Sequence, residues 1–285
     1  MDPLSLARDI DRATRVATLP LGVKMLAEGE APPERAKVPG RDFGHPIAVC
    51  QGYTLARRNG WTVVLSREEI NCPLTKIAYG LDYPAEEWLR GEMCCGMYTS
   101  TLEAGARTES QVPRFEPGRF RRILAFPLSR ADREPDVVVV YGNSAQVMLL
   151  LAASLQERGG YLTCRFSPRI DCSESVVRTM LTGEPQVILP CYGDRVMGGT
   201  EDHEMAFAFP WSRAAEIGRG LEGLHRGGVR YPIPMPLAGE PRFPPKYVAL
   251  DQALAARPAP TPRPSDGSNR SNPTGAPVDE RFGGG

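Results

Sequence analysis

The chain has 285 residues, and its 34 lysines and arginines are balanced by 34 aspartates and glutamates, so the formal net charge is zero. This balance gives no reason to expect binding to nucleic acid or to an anionic membrane, and the longest apolar run, residues 147–155, is far shorter than the roughly 20 residues that span a bilayer. We therefore expect a soluble cytoplasmic protein that is large enough for a hydrophobic core of its own.

Short strand-like runs alternate with helix-like runs along most of the chain, beginning with an N-terminal segment that lacks the apolar core of a signal peptide. The hydrophobic periodicity predicts helices over Pro3–Val16, Gln51–Asn59, Pro84–Arg90, Ser144–Glu157, Ser173–Thr182 and Ser212–Leu224. Strands are predicted over Gly22–Leu26, Trp61–Leu65, Ile123–Pro127, Asp136–Tyr141, Gln186–Leu189 and Met205–Phe209. This pattern favours an α/β or α+β fold in which helices cover a mixed sheet. Four consecutive valines at 137–140 indicate a central strand that is buried on both faces.

Composition divides the chain into three parts. Residues 1–18 are expected to form an N-terminal helix, and residues 19–250 a single domain. Residues 257–285 are rich in Pro, Gly, Ser and Asn and contain little that could be buried. Because such a segment cannot offset the entropy lost on ordering, we expect a disordered tail.

The domain contains two similar stretches. In each, a cysteine opens a helix-like segment, a glycine ends it, a strand follows, and a second cysteine comes shortly afterwards. The first pair is Cys50 and Cys72, which are 22 residues apart, and the second is Cys172 and Cys191, which are 19 residues apart. We therefore expect two related halves, about 19–127 and 128–250. An approximate two-fold axis between them would bring the two pairs together.

Seven cysteines in a chain without an export signal argue against a disulfide framework, because the cytosol keeps thiols reduced. One interpretation is that each is an ordinary small buried residue. The other is that four meet, since four thiolates suit zinc or an iron–sulfur cluster. Cys50 and Cys172 lie at predicted helix N-termini, where the helix dipole favours a thiolate. No C-x-x-C motif is present, so the spacing alone leaves both interpretations open.

A second candidate site follows the valine strand. Tyr141, Asn143 and Gln146 come where this strand ends and a helix begins, and such strand ends face ligand crevices in α/β sheets. Arg195, which follows Cys191 closely, is placed to pair with an anionic ligand. We predict that these four residues contact a small-molecule substrate. The turn contains one glycine, so it matches no nucleotide-binding motif.

Six motifs, in order, resemble the prokaryotic family catalogued as domain of unknown function 169. They read PLGVKM, AVCQGYTLAR, INCPLTKIAYGL, PDVVVVYGNSAQ, DCSESVV and ILPCYGDR, and the resemblance covers roughly residues 19–224. The resemblance implies a shared role for Cys50, Cys72, Cys172 and Cys191, accompanied by Gln51 and by the Gly-Asp-Arg at 193–195. Ser144 departs from the family, which usually has proline there. The family's name supplies no reaction.

Three functions are compatible with these observations. The first is an iron–sulfur protein in which the four cysteines hold a cluster, [4Fe–4S], with Arg195 and Gln51 beside it, and which acts as an oxidoreductase on a small molecule or with an electron-transfer partner. The second is a closed structural zinc site of the same cysteines. The third is a metal-free enzyme that uses a reactive Cys191. Iron is favoured because the cysteines are dispersed over a large core that needs no zinc to fold.

Overall fold

The computed structural model describes residues 1–167, 169–234 and 243–257. The chain divides into two compact units, residues 1–234 and 235–285. The first unit contains six strands: β1 (Leu21–Leu26), β2 (Val63–Ser66), β3 (Arg122–Pro127), β4 (Val137–Gly142), β5 (Gln186–Ile188) and β6 (Met205–Pro210). Each of the six predicted strands is confirmed, with its ends shifted by at most a few residues.

The helices of the first unit surround these strands. They are α1 (Pro3–Thr14), α2 (Pro39–Phe43), α3 (Val49–Asn59), α4 (Pro73–Ala78), α5 (Glu86–Leu89), α6 (Leu102–Ser110), α7 (Ser144–Leu155), α8 (Thr179–Thr182) and α9 (Ala214–Arg226). Two wider π-helical segments, Ser173–Arg178 and Asp194–Gly198, and two 3-10 turns, Leu128–Arg130 and Trp211–Arg213, complete the unit. The six predicted helices are present, although the one predicted over 173–182 begins as a π-helix.

The strands form one sheet in the order β2-β3-β1-β4-β6-β5, and each neighbouring pair is antiparallel. The prediction of helices packed on a sheet is confirmed, but the mixed sheet is wrong, so α+β describes the fold. The alternation of strands and helices along the sequence predicts which elements exist, but it does not determine whether neighbouring strands are parallel or antiparallel. Here the helical connections return the chain beside an existing strand in the opposite direction, so parallel crossovers are not formed.

The central strand β4 is buried on both faces, as its valines predict. Val137 and Val139 pack into a core with α3, α4 and the π-helical segment that begins at Ser173. Val138 and Val140 point to the opposite face and pack against α1, α7 and α9. The sheet is therefore covered by a layer of helices on each side, and α1 is part of this packing.

The strand order is symmetric about the contact between β1 and β4. Strands β1, β3 and β2 on one side correspond to β4, β6 and β5 on the other, and β1–β3 and β4–β6 both pair over their full length. The ends of β3 and β6 also share a sequence, AFPLSRA at 125–131 and AFPWSRA at 208–214, in which a 3-10 turn follows the proline. This is the symmetry that two related halves require.

Helices α7 and α9 cross with almost no space between their backbones at Gly220. A Cβ atom at this position would overlap the carbonyl oxygen of Ala153, whereas one at Gly218 would meet only the terminal methyl of Met1. We expect Gly220→Ala to lower the free energy of unfolding by about 1–3 kcal/mol, because a backbone cannot move aside easily. Gly218→Ala, on the same helix, is the matched control with a much smaller expected effect. Urea denaturation of both variants checks this, and equal stabilities would contradict it.

The second unit is described between residues 243 and 257, where α10 spans Pro245–Ala255. The tail predicted to be disordered, 257–285, lies outside the described residues from position 258 onward. Across the described ranges, every helix is too short or too polar to cross a membrane.

Candidate functional site

Four cysteines line one pocket on the α3 side of the sheet. The pocket has a volume of about 290 Å³, and its wall is mainly apolar. The cysteines that line it are Cys50, Cys72, Cys172 and Cys191. We call this the cysteine pocket. The remaining cysteines do not line it: Cys94 is buried against Arg169, Cys95 is half-buried, and the thiol of Cys164 accepts a hydrogen bond from the Val187 N–H.

Each half of the sheet contributes two of these thiols. Cys50 lies in the first turn of α3, and Cys72 directly precedes α4. Cys172 directly precedes the first π-helical segment, and Cys191 comes shortly before the second. Because the halves face each other across the β1–β4 contact, the corresponding cysteines of both halves meet at the same pocket.

The backbone of the second half is unusual at this pocket. Both π-helical segments follow its cysteines, and π-turns inside helices occur frequently at functional sites. Ile170, which lines the pocket, adopts φ 59°, a conformation that is unfavourable for a β-branched residue. Strain of this kind persists where the surrounding structure enforces it, and it concentrates at ligand and active sites.

Two buried carboxyl groups lie among the thiols. Asp171 and Asp194 contact each other through their side chains, and the hydroxyl of Thr200 donates to Asp194 Oδ2 at 3.0 Å. Burial raises the pKa of Asp171 and, together with the neighbouring Asp171 charge, raises the pKa of Asp194 to about 8. Because two ionised carboxylates in contact repel each other, we infer that the pair holds a proton at neutral pH.

The thiols of Cys50, Cys172 and Cys191 are also protonated in this environment. Burial is the largest cause that raises the pKa of Cys50 and Cys172, and the adjacent carboxyl groups raise it further. For Cys191, burial and Asp171 raise the pKa to about 12. The expectation that helix N-termini would make Cys50 and Cys172 thiolates is therefore wrong, because desolvation outweighs the helix dipole. A metal that binds here has to displace these protons.

Within the described residues, no group of three or more Cys, His, Asp or Glu side chains is arranged to hold a metal ion. A closed zinc site needs four sulfur atoms, each about 2.3 Å from one ion. The four thiols thus surround a shared cavity without forming a ready single-ion site.

A buried ion pair fixes α3 beside the second half of the pocket. The guanidinium of Arg57 donates to both carboxylate oxygens of Glu204, at 2.6 and 3.0 Å, and to Thr200 at 3.2 Å. Thr200 in turn holds Asp194, and Thr54 donates to the carbonyl of Gly198 at 2.5 Å. This network, which the sequence did not reveal, joins the helix that carries Cys50 to the segment that follows Cys191.

Arg169 is a second residue that the sequence did not indicate. Its side chain is 2% exposed and lines the cysteine pocket. Nη1 donates to the Met93 carbonyl at 2.6 Å and to the Cys94 sulfur at 2.9 Å, and it lies 2.9 Å from Glu109 in an ion pair without a hydrogen bond. The pKa of Glu109 is raised, because burial outweighs the nearby Arg169 charge.

The predicted substrate residues lie elsewhere. Tyr141 is buried in the core, with the Arg57 guanidinium 4.1 Å from its ring centre. Asn143 caps α7 by accepting hydrogen bonds from the first backbone N–H groups of the helix, and Gln146 donates to the carbonyls of Thr14 and Arg15. None of the three lines the cysteine pocket, and the polar atoms of Asn143 and Gln146 stabilise local structure.

Arg195 and Gln51 also make structural contacts. Arg195 donates to the Glu201 carbonyl at 2.6 Å, and Gln51 accepts from the Ala48 N–H at 2.8 Å at the start of α3. Neither side chain lines the cysteine pocket. Their roles beside a cofactor or a substrate stay predictions without structural support.

Comparison with known proteins identifies relatives of the chain. The model of the family DUF169, described as an uncharacterised ArCR family, matches residues 9–220. A curated protein of Methanocaldococcus jannaschii, Uncharacterized protein MJ0308, is 28% identical over 121 residues, which cover 42% of this chain and 52% of the relative. The chain thus spans about half the length of the curated relative it matches. No solved structure matches the chain significantly.

Proposed function

The chain belongs to the DUF169 family, and from the four cysteines that line its pocket we propose that it binds an iron–sulfur cluster and acts in a redox reaction. The observation that carries this proposal is the convergence of two cysteine pairs, one from each half of the sheet, on a cavity of about 290 Å³. Thiolates are the usual ligands of such clusters.

The composition of the pocket fits a soft, polynuclear group. Its four sulfur donors come from separate segments, and none of the histidines contributes. A cluster spreads its cysteine ligands around several metal atoms, whereas a single zinc ion draws four sulfurs to about 2.3 Å from one point. We favour the cluster over structural zinc because the four cysteines are dispersed over a large core that needs no zinc to fold.

The chain's own residues would prepare the pocket for this group. Cys50, Cys72, Cys172 and Cys191 would hold the cluster after losing their protons. The mainly apolar wall limits contact with water, and solvent exposure is one of the properties that set the reduction potential of a cluster. When bound, the cluster would supply one-electron transfer to a small molecule or to a redox partner, and this is the basis for assigning the protein as an oxidoreductase.

The metal-free alternative receives less support. A nucleophilic cysteine has to be a thiolate near neutral pH. Because burial and Asp171 raise the pKa of Cys191 to about 12, its thiol is a poor nucleophile in the pocket.

Metal analysis tests the proposal. Protein purified without oxygen is expected to contain iron and acid-labile sulfide in about equal amounts, roughly four of each per chain for a [4Fe–4S] cluster. It should show a broad visible absorbance that bleaches on reduction. One zinc ion per chain without colour would establish the structural zinc site instead. Absence of any metal after anaerobic purification and after reconstitution with iron and sulfide would overturn both.

A further inference from the structure

The side chain of Arg169 lines the cysteine pocket and carries buried hydrogen-bond donors that are unused within the described residues. Its contacts to Met93, Cys94 and Glu109 all involve Nη1. Within the described part of the chain, Nε and Nη2 have no hydrogen-bond partner, although both atoms are buried. Unpaired donors on a buried cation are costly, so a polar partner of opposite charge is expected beside them.

The free donors have the geometry of a carboxylate site. Nε and Nη2 form one edge of the planar guanidinium, and a carboxylate binds such an edge with two parallel hydrogen bonds. The guanidinium lies 5.9 Å from the ring centre of Trp88 and 5.6 Å from that of Tyr98. These rings on α5 and in the following loop restrict the movement of the guanidinium and keep the edge in place.

The rest of the pocket suits an apolar body. Exposed apolar side chains surround its mouth, and the larger ones are Met93, Met97, Tyr192, Val196 and Met197. Met97 is 74% exposed and Tyr192 68%. Methionine and tyrosine make favourable contacts with flat aromatic groups. Isolated apolar residues on a surface are ordinary, but a contiguous rim around a pocket marks a binding site.

We propose that the cysteine pocket binds a small organic carboxylate, whose carboxylate pairs with Nε and Nη2 of Arg169 and whose apolar, single-ring body packs against the methionine and tyrosine rim. This inference rests on the proposed function, since it names the class of molecule on which the cluster would act. An inorganic anion would satisfy Arg169 and leave the apolar rim unused. A neutral aromatic molecule would pack against the apolar rim and leave the Arg169 donors unpaired.

Calorimetry on anaerobically purified protein separates these ligands. Benzoate and phenylacetate are the probes, benzamide is the neutral control, and inorganic phosphate is the anion without an apolar body. We expect a carboxylate to bind at least about tenfold more tightly than benzamide or phosphate, the difference that a charge-assisted pair typically makes. If neither carboxylate binds, or if benzamide or phosphate binds equally well, the inference is overturned.

Two sets of variants locate the binding site. Arg169→Met should weaken carboxylate binding at least about tenfold, whereas Arg165→Met, which removes an exposed arginine bonded to Gln111, should leave it unchanged. If Arg169→Met does not fold, two substitutions of the exposed Met97 provide the test instead. Met97→Lys should strengthen binding and Met97→Glu weaken it, each by about twofold. Equal affinities of the two Met97 variants would place the ligand elsewhere.

Iron and sulfide are measured in the same samples, so that the two proposals can fail separately. A cluster-containing protein that binds neither carboxylate overturns the inference and leaves the cluster. A protein that binds benzoate through Arg169 without iron overturns the cluster and keeps the carboxylate site.

Discussion

Replacing any one of the four pocket cysteines by serine is expected to remove nearly all bound iron and sulfide. Loss of a group that merely supports a metal ligand already reduces metal affinity about 10- to 100-fold, and loss of the ligand should cost at least as much. The variants are Cys50→Ser, Cys72→Ser, Cys172→Ser and Cys191→Ser. Iron and sulfide per chain, together with the visible spectrum after anaerobic purification, measure the effect.

The matched control is Cys164→Ser. This thiol is half-buried and accepts a backbone hydrogen bond, but it lies outside the cysteine pocket. The variant should retain iron and sulfide at the level of the parent protein. Far-ultraviolet circular dichroism of all variants separates loss of the cluster from loss of the fold. Retention of iron in folded variants of both halves, for example Cys50→Ser and Cys172→Ser, would show that the four thiols do not act together.

Removal of Arg57 should have the largest effect on stability. Its side chain is buried and pairs with Glu204 across the network that joins α3 to the second half. Arg57→Met leaves the Glu204 carboxylate buried without its cation, and breaking a buried pair in this way costs about 3–5 kcal/mol. For a protein of this size, the fall in Tm is roughly 10 °C. Urea and thermal denaturation measure both quantities.

Two comparisons identify the cause of this loss. Arg12→Met breaks the exposed pair of Arg12 with Asp9, and its expected effect is about 0.5 kcal/mol or less. The double variant Arg57→Met with Glu204→Leu removes both buried charges and should recover much of the stability. A double variant as unstable as Arg57→Met alone would mean that the arginine acts through packing and not through its charge.

The same pair gives a pH dependence with a defined sign. Burial raises the pKa of Glu204, but its hydrogen bonds to Arg57 and a backbone N–H outweigh burial and lower the pKa below its ordinary value of 4.5. A carboxyl whose folded pKa is lowered stabilises the fold above its unfolded pKa and loses this contribution as the pH falls through the folded pKa. The stability difference between the parent protein and Glu204→Gln should therefore shrink as the pH falls below about 4.5.

The elements of the fold could be predicted because each has a local signal. The valines of β4 and the helical periodicity of α1 are examples, and the predicted bounds of both elements agree with the structure within a few residues. Strand direction depends on long-range pairing, such as that of Leu21 with Pro127, and no local pattern encodes it. The short helices α2 and α4, which begin at prolines, are also too brief to show a period.

The four pocket cysteines could be predicted from the sequence because their spacing repeats, whereas the other residues of the pocket have no such signal. Arg169 is a single arginine, and its importance comes from burial and from two unpaired nitrogen atoms. The thiolate expectation for Cys50 and Cys172 failed for the same reason, since burial is a property of the packed structure. A second sequence signal repeats in the same way: AFP-x-SRA occurs at the ends of both β3 and β6.

The symmetry of the sheet has an evolutionary consequence. Neither half contains more than two of the pocket thiols, so a half-length chain alone could not complete the ligand set. Two identical copies associated side by side through β1-like strands would supply all four, and gene duplication and fusion of such a homodimer would produce the symmetric strand order of the present chain. After fusion, the two copies are encoded separately, so their sequences can change independently. In this chain, the cysteines of the first half lie at the start of regular α-helices and those of the second half precede π-helical segments, so the two halves differ in backbone conformation at the pocket they share.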